Sequence, residues 1–531
     1  MKKRITGIKS LLKRDISTAN ILIIAAGGMI GSGWLFTPFI GAKMAGPNSL
    51  ISWVIAAIFM LFIALPLCEL GAMLPISGGM SNYPTFTHGR EVGFLFSWIT
   101  WLSYVVMTPI EIQAILQYSS HFFPILLVKE ASYFKLSHTG YVVAIAIMLV
   151  IVFLNTYGIR FLAECNKYTS IVKFVLPSIA IISLTHAAPS FQNIHFNLMT
   201  GESWMQIFSA LSAGGIAFAF TGFQNGLMLA GEIKDPQKTI PIVMLGAVLI
   251  GFILYFSLQL SFLMAIPVKY LQHGWLLLSF PGDGGPLVGL TLLLGLSSVA
   301  ILLLFDAAFS PLGTTLVYTA ATSRILYGMA LNKHLPSIFL KLNRHQIPYI
   351  TLYANFLVGS LSFLPFPGWQ KMVAFLASAS ILSYGVGPIC LLALRKLQSK
   401  RYRPFRLEGS FIFCYIAFYV CTLMLYWCGF PVIWKLYLAI GVGFIIYFVC
   451  QSKYRFSNKL SLYWFFSYIT LLLLLSYLGP FGGLGLLKFP FDTLFIFPFS
   501  CLIMYLSQRC LVKNEAEKES FALMDKQLQN L

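Results

Sequence analysis

Runs of about 20 apolar residues recur from near residue 16 to near residue 507, and each is long enough for a helix to cross the roughly 30 Å hydrocarbon core of a bilayer. Fourteen such spans are drawn, at 16–40, 48–73, 91–118, 139–155, 160–186, 203–231, 240–266, 288–322, 350–364, 369–394, 410–428, 432–450, 461–478 and 489–507. Lipid offers no water to unpaired backbone groups, so uninterrupted runs of this length fold as helices. The expected fold is therefore an all-α polytopic membrane protein. Composition agrees: 58% of residues are hydrophobic and 10% charged, against about 45–50% and about 25% in soluble domains. The stretch clear of these runs at 508–531 is too short for a nucleotide-binding domain, and no GxxxxGK[ST] loop occurs, which excludes ATP hydrolysis by this chain.

A net charge of +19 would suggest nucleic acid in a soluble chain, but here its placement is topological. With the N-terminus inside, only Lys43, Lys129, Lys135, Lys269, Lys371, Lys435 and Lys488 of the 36 Lys and Arg fall in outside segments. The positive-inside rule then puts both termini in the cytoplasm, with the lipid bilayer as partner and no nucleic acid. The basic N-terminal segment, residues 1–15, leads into an apolar run longer than a signal-peptide core, so it is expected to be retained. Cys414, Cys421 and Cys428 recur every seven residues on one helix face, a packing stripe, and no CxxC or Cys-His cluster suggests metal or redox chemistry.

Two spans are interrupted by glycine in mid-membrane. The first reads GGMIGSG at Gly27–Gly33, and the sixth has Ala213-Gly214-Gly215 followed by FAFTGF at Phe218–Phe223. The plain reading of one such break is a helix-packing face, since Gly27 and Gly31 have small-xxx-small spacing. A pair of breaks in corresponding places, five spans apart, points instead to an inverted-repeat transporter that binds its substrate between broken helices. Spans 1–5 and 6–10 form the repeats, a transport core over residues 16–395. Spans 11–14, residues 410–507, are accessory helices, and 508–531 is a cytoplasmic tail.

These residues resemble the amino acid–polyamine–organocation (APC) permease family. GGMIGSGWLF at 27–36 is similar to its first-helix signature, and FAFTGFQNGLMLAGEIKDPQKTIP at 218–241 to its sixth helix and following loop. LPISGGMSNYPTFTHGREVGFLFSW at 74–98 and SPLGTTLVYTAATSRILYGMALNKHLP at 310–336 resemble its second-to-third-helix region and its eighth helix. The fourteen-span layout is like a bacterial subset of the family. The resemblance implies a LeuT-type 5+5 inverted repeat and secondary active transport of amino acids in a bacterial cell inner membrane, driven by a proton gradient rather than a bound cofactor. It leaves symport and exchange (antiport) open.

Carried over residue by residue, the resemblance implies that Ile30, Gly31, Ser32 and Gly33 hold the substrate's α-carboxylate and α-amino group. The physics agrees: N–H groups of an unwound segment, at the positive end of the following half-helix, suit a carboxylate, and freed carbonyls suit an ammonium. Phe218 resembles the aromatic that caps the substrate, and Thr221 would lie beside its side chain. Ser103, Tyr104 and Thr108 on the third span and Tyr318 on the eighth are pocket candidates by rough alignment. Gln224 departs from the Glu of arginine-exchanging members. No carboxylate is expected to line this pocket, so the substrate leans to an acidic or neutral amino acid.

Charge within the hydrocarbon is costly, so each ionisable residue there is a functional candidate. Lys173 on the fifth span resembles the lysine that replaces the sodium site of sodium-coupled relatives. An ammonium beside carbonyls freed by the first break can stand in for a cation and release a proton during the cycle, whereas the ordinary reading is one more positive-inside residue. Glu111 and Asp306 lie about 27 Å along their helices from Gly93 and Arg324, which puts both towards the outer face as possible proton binders in a vestibule. Glu69, Glu164 and Glu232 fall near cytoplasmic ends, where pairing with loop charges is the ordinary reading.

The eight His fall at or beyond span edges, which disfavours a membrane-embedded hydrolase or acyltransferase, so the chain reads as no enzyme. A passive channel would want a ring of like residues instead of paired helix breaks. A non-transporting nutrient sensor on the same fold remains the alternative, and it would be expected to carry a longer signalling tail.

Overall fold

The computed structural model describes residues 17–512 except 77–78, 131–133, 158, 188–190, 229, 231–232, 281–284 and 452–458, together with Phe521, Ala522 and Asp525. For 159–168, 170, 451 and 459 it describes the backbone alone. The N-terminal segment, Glu232 and the side chain of Glu164 lie outside the described residues.

Each of the fourteen expected spans contains helix. The first is split into α1 (Thr18–Met29) and α2 (Gly33–Ala45), and the second is α3 (Ser49–Met73). A short α4 (Tyr83–His88) precedes the third span, which bends at Val106 between α5 (Arg90–Val105) and α6 (Met107–Ser119). Pro109 supplies no N–H for the Val105 carbonyl, which is enough to bend the helix there. A small antiparallel hairpin, β1 (Leu127–Lys129) and β2 (Phe134–Leu136), pairs Val128 with Lys135 in a segment expected to lack strands. Then follow α7 (His138–Asn155) and α8 (Ile159–Ala187), and Ser137 caps α7 by accepting from the Gly140 N–H at 3.0 Å.

The sixth span is cut into α9 (Gly201–Ser212), α10 (Ile216–Ala219) and α11 (Asn225–Met228), and the seventh is α12 (Pro236–Ala265). The eighth departs from its expected bounds: α13 (Pro286–Leu293) ends near Gly295, and α14 (Ser297–Leu331) runs nine residues past 322. The remainder is α15 (Tyr349–Ser362), α16 (Trp369–Tyr384), α17 (Val386–Leu397), α18 (Ser410–Tyr426), α19 (Phe430–Gln451), α20 (Lys459–Leu478) and α21 (Phe491–Ser507). Among the described residues, eight helical stretches, adjoining helices taken together, are long and apolar enough to cross a membrane, and shorter apolar helices accompany them.

The distribution of side chains is that of a membrane protein. Large apolar residues such as Ile253, Ile301 and Val449 are exposed on outward helix faces, while Glu111, Lys173 and Asp306 are buried at the centre. The two broken spans lie against each other. Gly222, at φ 133°, brings the second break onto the end of α1, where a Cβ would stand 2.7 Å from the Met29 nitrogen. Only glycine fits both the backbone angle and the approach. Cys414, Cys421 and Cys428 are buried in packing along and just past α18.

Candidate functional site

Four glycines in seven residues weaken the helix, and it unwinds at Ile30–Ser32. The Ile30 and Gly31 N–H groups reach only the Gly27 and Met29 carbonyls, in tightened turns of 3.3 and 3.2 Å. The next donor, the Ser32 N–H, points at the third span and donates to Glu111 Oε2 at 2.7 Å. The other Glu111 oxygen packs on Gly31, where a Cβ would come within 2.5 Å of Oε1. Of the N–H groups expected to face a substrate carboxylate, that of Ser32 therefore faces a carboxylate of the chain itself.

Carbonyls freed by the break are held from other elements. Lys173 Nζ on α8 donates to the Gly27 carbonyl at 3.2 Å and to Thr314 Oγ1 on α14 at 2.7 Å. The Tyr255 hydroxyl on α12 donates to the Met29 carbonyl at 2.7 Å. Lys173 thus sits at the break and ties α1, α8 and α14 together.

Asp306 completes the cluster. It accepts from Trp34 Nε1 of α2 at 3.1 Å and from the Ser310 hydroxyl at 2.5 Å. Glu111, expected towards the outer face, is buried against the break at Gly31 and Ser32, and Asp306 is buried against Trp34 of α2. The expectation that no carboxylate lines the pocket falls with it.

The sixth span closes the site from the other side. Phe218 on α10 approaches Gly33 so closely that a Cβ there would lie 3.2 Å from its ring. Its ring meets Trp369 edge to face at 5.8 Å, and Trp369 in turn stacks on Phe36 at 4.7 Å and donates from Nε1 to the Ser32 hydroxyl at 2.9 Å. Thr221 is buried one turn on, its N–H donating to the Phe218 carbonyl. Gln224 turns inward: its Oε1 accepts from the Gly222 N–H at 2.9 Å and its Nε2 donates to the Tyr104 hydroxyl at 3.3 Å.

The remaining candidates divide. Tyr104 and Tyr318 come together, ring centres 5.3 Å apart, beside the sixth-span break, and the Tyr104 hydroxyl donates to Asn225 at 3.4 Å. Thr108 pairs with Thr319 across α6 and α14 at 2.9 Å. Ser103 donates to the Thr100 carbonyl of its own helix. Trp34, Tyr255, Thr314 and Trp369 are the site neighbours that sequence reasoning missed.

A profile of the amino acid permease family matches residues 16–478. The chain is 34% identical to the glutamate/serine transporter of Bacillus subtilis, an alignment covering 91% of this chain and 92% of that one. It is 33% identical to the aspartate-proton symporter of the same organism, over 93% and 96%, and 24% identical to its branched-chain amino acid permease, over 86% and 96%. A family profile over most of the chain, two relatives similar from end to end, and paired helix breaks at the centre of the fold agree: this chain is a member of the amino acid permease family.

Proposed function

We propose that this permease imports an amino acid by alternating access as a proton symporter, with both termini cytoplasmic, in a bacterial inner membrane. One observation carries the reading: opposite ionisable groups hold the two ends of a single helix break, Glu111 on the Ser32 N–H and Lys173 on the Gly27 carbonyl. The buried cluster contains one ammonium and two carboxylates, Lys173, Glu111 and Asp306. A single added proton makes it neutral, which in a low-dielectric interior is a reason to bind one.

The proton and the substrate meet at Ser32. A carboxylate accepts an N–H far more strongly than a carboxylic acid does, so protonating Glu111 releases the Ser32 N–H to a substrate carboxylate. Losing the proton reverses the exchange and returns Glu111 to Ser32. Lys173 occupies the place of a bound cation and moves with α1, α8 and α14, while Asp306 holds the outer half of the first span through Trp34. Phe218 and Trp369 cover the break, and Thr221, Tyr104, Tyr318 and Thr108 lie around it as pocket residues. No bound cofactor enters this cycle.

The substrate we infer is an acidic or small polar amino acid. The names of the two end-to-end relatives support it, and a protonated Glu111 lifts the repulsion that a second carboxylate would otherwise meet. Counterflow of radiolabelled glutamate, aspartate and serine into proteoliposomes, followed by uptake driven by an imposed pH gradient without sodium, tests the reading. Accumulation driven by the pH gradient is the expected result. Counterflow without accumulation would select an exchanger, and no counterflow of any amino acid would select a sensor.

A further inference from the structure

A cavity of about 480 Å³ lies beyond the break, on the side where α2 ends, and its wall carries Lys43, Lys129 and Lys371. Trp369 and Phe36 also line it. The indole that donates to the Ser32 hydroxyl therefore separates this cavity from the broken helix. Three elements supply the lysines: the last turn of α2, strand β1 of the hairpin, and the start of α16. Two of the ammoniums lie over rings that share the wall, Lys43 over Phe39 at 5.4 Å and Lys129 over Phe134 at 5.8 Å. Among the described residues, the carboxylate on this wall is Glu130, which is joined to Lys135.

This side of the chain is poor in basic residues, and the positive-inside rule gives no reason for lysines here. Three of the seven outside lysines nevertheless converge on one concave surface directly above the site. A concave wall with an excess of one charge sign focuses its field and raises the local concentration of the opposite ion. Zwitterionic amino acids, with no net charge, gain little from such a field.

We infer that this cavity is a capture site for amino acids of net negative charge, the dicarboxylic ones, which it concentrates above Trp369 before they reach the first-span break. The inference rests on the import and topology proposed above and narrows the substrate class. Capture precedes the transport cycle, so it governs KM for anionic substrates and leaves the maximal rate to Glu111, Lys173 and the breaks.

The test compares wild type with Lys43→Gln/Lys129→Gln/Lys371→Gln in proteoliposomes, using radiolabelled glutamate and serine. Uptake is read at about 20 mM and about 300 mM salt, between which the Debye length shortens from roughly 20 Å to roughly 6 Å. In wild type the KM for glutamate should rise with salt while that for serine stays level. In the triple variant the KM for glutamate should be about 3- to 10-fold higher at low salt and insensitive to added salt, with Vmax and the serine KM unchanged. A triple Lys→Arg variant should behave as wild type, which separates charge from damage to the fold. An unchanged glutamate KM and salt response in the Gln variant overturns the inference, as does a wild type that carries only neutral amino acids. In both cases amino acid import itself stands. A wild type that carries no amino acid overturns the import reading as well.

Discussion

Glu111 and Ser32, 79 residues apart in sequence, are joined by a 2.7 Å hydrogen bond from the backbone N–H of an unwound helix to a buried carboxylate. That N–H is freed by the glycines around it, and the carboxylate is brought to it by the second turn of α6, just past the bend at Val106. In the proposed cycle, a carboxylate in this place is both a titratable group and a competitor for the donor that the substrate takes. Coupling of proton and substrate then requires no conformational relay between distant sites.

Glu111→Gln imitates the protonated side chain permanently. Counterflow should persist, because the Ser32 N–H is then held only by a neutral amide. Accumulation driven by a pH gradient should fall by about tenfold or more, and substrate affinity should lose its dependence on pH. Both are read in proteoliposomes with clamped internal pH. A Glu111→Gln protein that concentrates substrate like wild type would show that the proton is carried elsewhere.

Lys173→Ala removes the bridge among α1, α8 and α14 and leaves two buried carboxylates with no ammonium beside them. Uptake driven by the pH gradient should be abolished while substrate binding stays measurable by thermal shift in detergent. Wild-type uptake should proceed without sodium. Dependence of the wild type on a sodium gradient, or concentration of substrate by Lys173→Ala under a pH gradient, would contradict the coupling role.

Gly31 and Gly33 should respond differently to substitution. A Cβ at Gly31 meets the Glu111 carboxylate at 2.5 to 3.1 Å, whereas one at Gly33 meets the Phe218 ring edge at 3.2 and 3.4 Å and the Ala219 Cα at 3.9 Å. Gly31→Val fills the break with a branched side chain that blocks close approach of substrate to the Ser32 N–H, and it should eliminate binding while the protein still inserts. Gly33→Ala should retain transport, with KM raised by about 2- to 5-fold as Phe218 shifts. Normal transport by Gly31→Val would place the binding site elsewhere.

Both helix breaks were legible in the sequence because clustered glycine has few other uses inside an apolar run, and Lys173 was legible because a lone charge there stands out. The positions of Glu111 and Asp306 were not, because distance along a helix is a poor measure of depth. The third span covers 30 residues and about 45 Å, well beyond a 30 Å core, so its end does not mark the membrane surface. The eighth helix extends to Leu331, so counting back from Arg324 took a residue inside the helix as its end. Trp369 carried no signal at all: it is one of 10 Trp, at the first residue of its helix, and its partner Ser32 lies 337 residues away.

Glu69, expected to pair with loop charges, does so in a buried cluster remote from the first-span break. Arg395 at the end of α17 grips it through two bonds, Nε to Oε1 at 3.0 Å and Nη2 to Oε2 at 2.6 Å. Arg403 lies 3.2 Å from Oε1, and the Leu407 N–H donates to Oε2 at 2.7 Å. The second span is thereby fastened to the tenth and to the segment after it. Removing one partner of a buried ion pair strands the other charge and costs about 3–5 kcal/mol. Glu69→Ala should accordingly lower the apparent Tm in detergent by about 3 to 10 °C. Arg395→Lys, which keeps the charge and loses the two-pronged grip, should fall between it and wild type. Neither should change KM in the protein that remains folded, since no residue of this cluster touches the first-span break. A Glu69→Ala protein as stable as wild type would mean that the arginines find water or other acceptors at no cost, and that the second and tenth spans are held together by apolar packing alone.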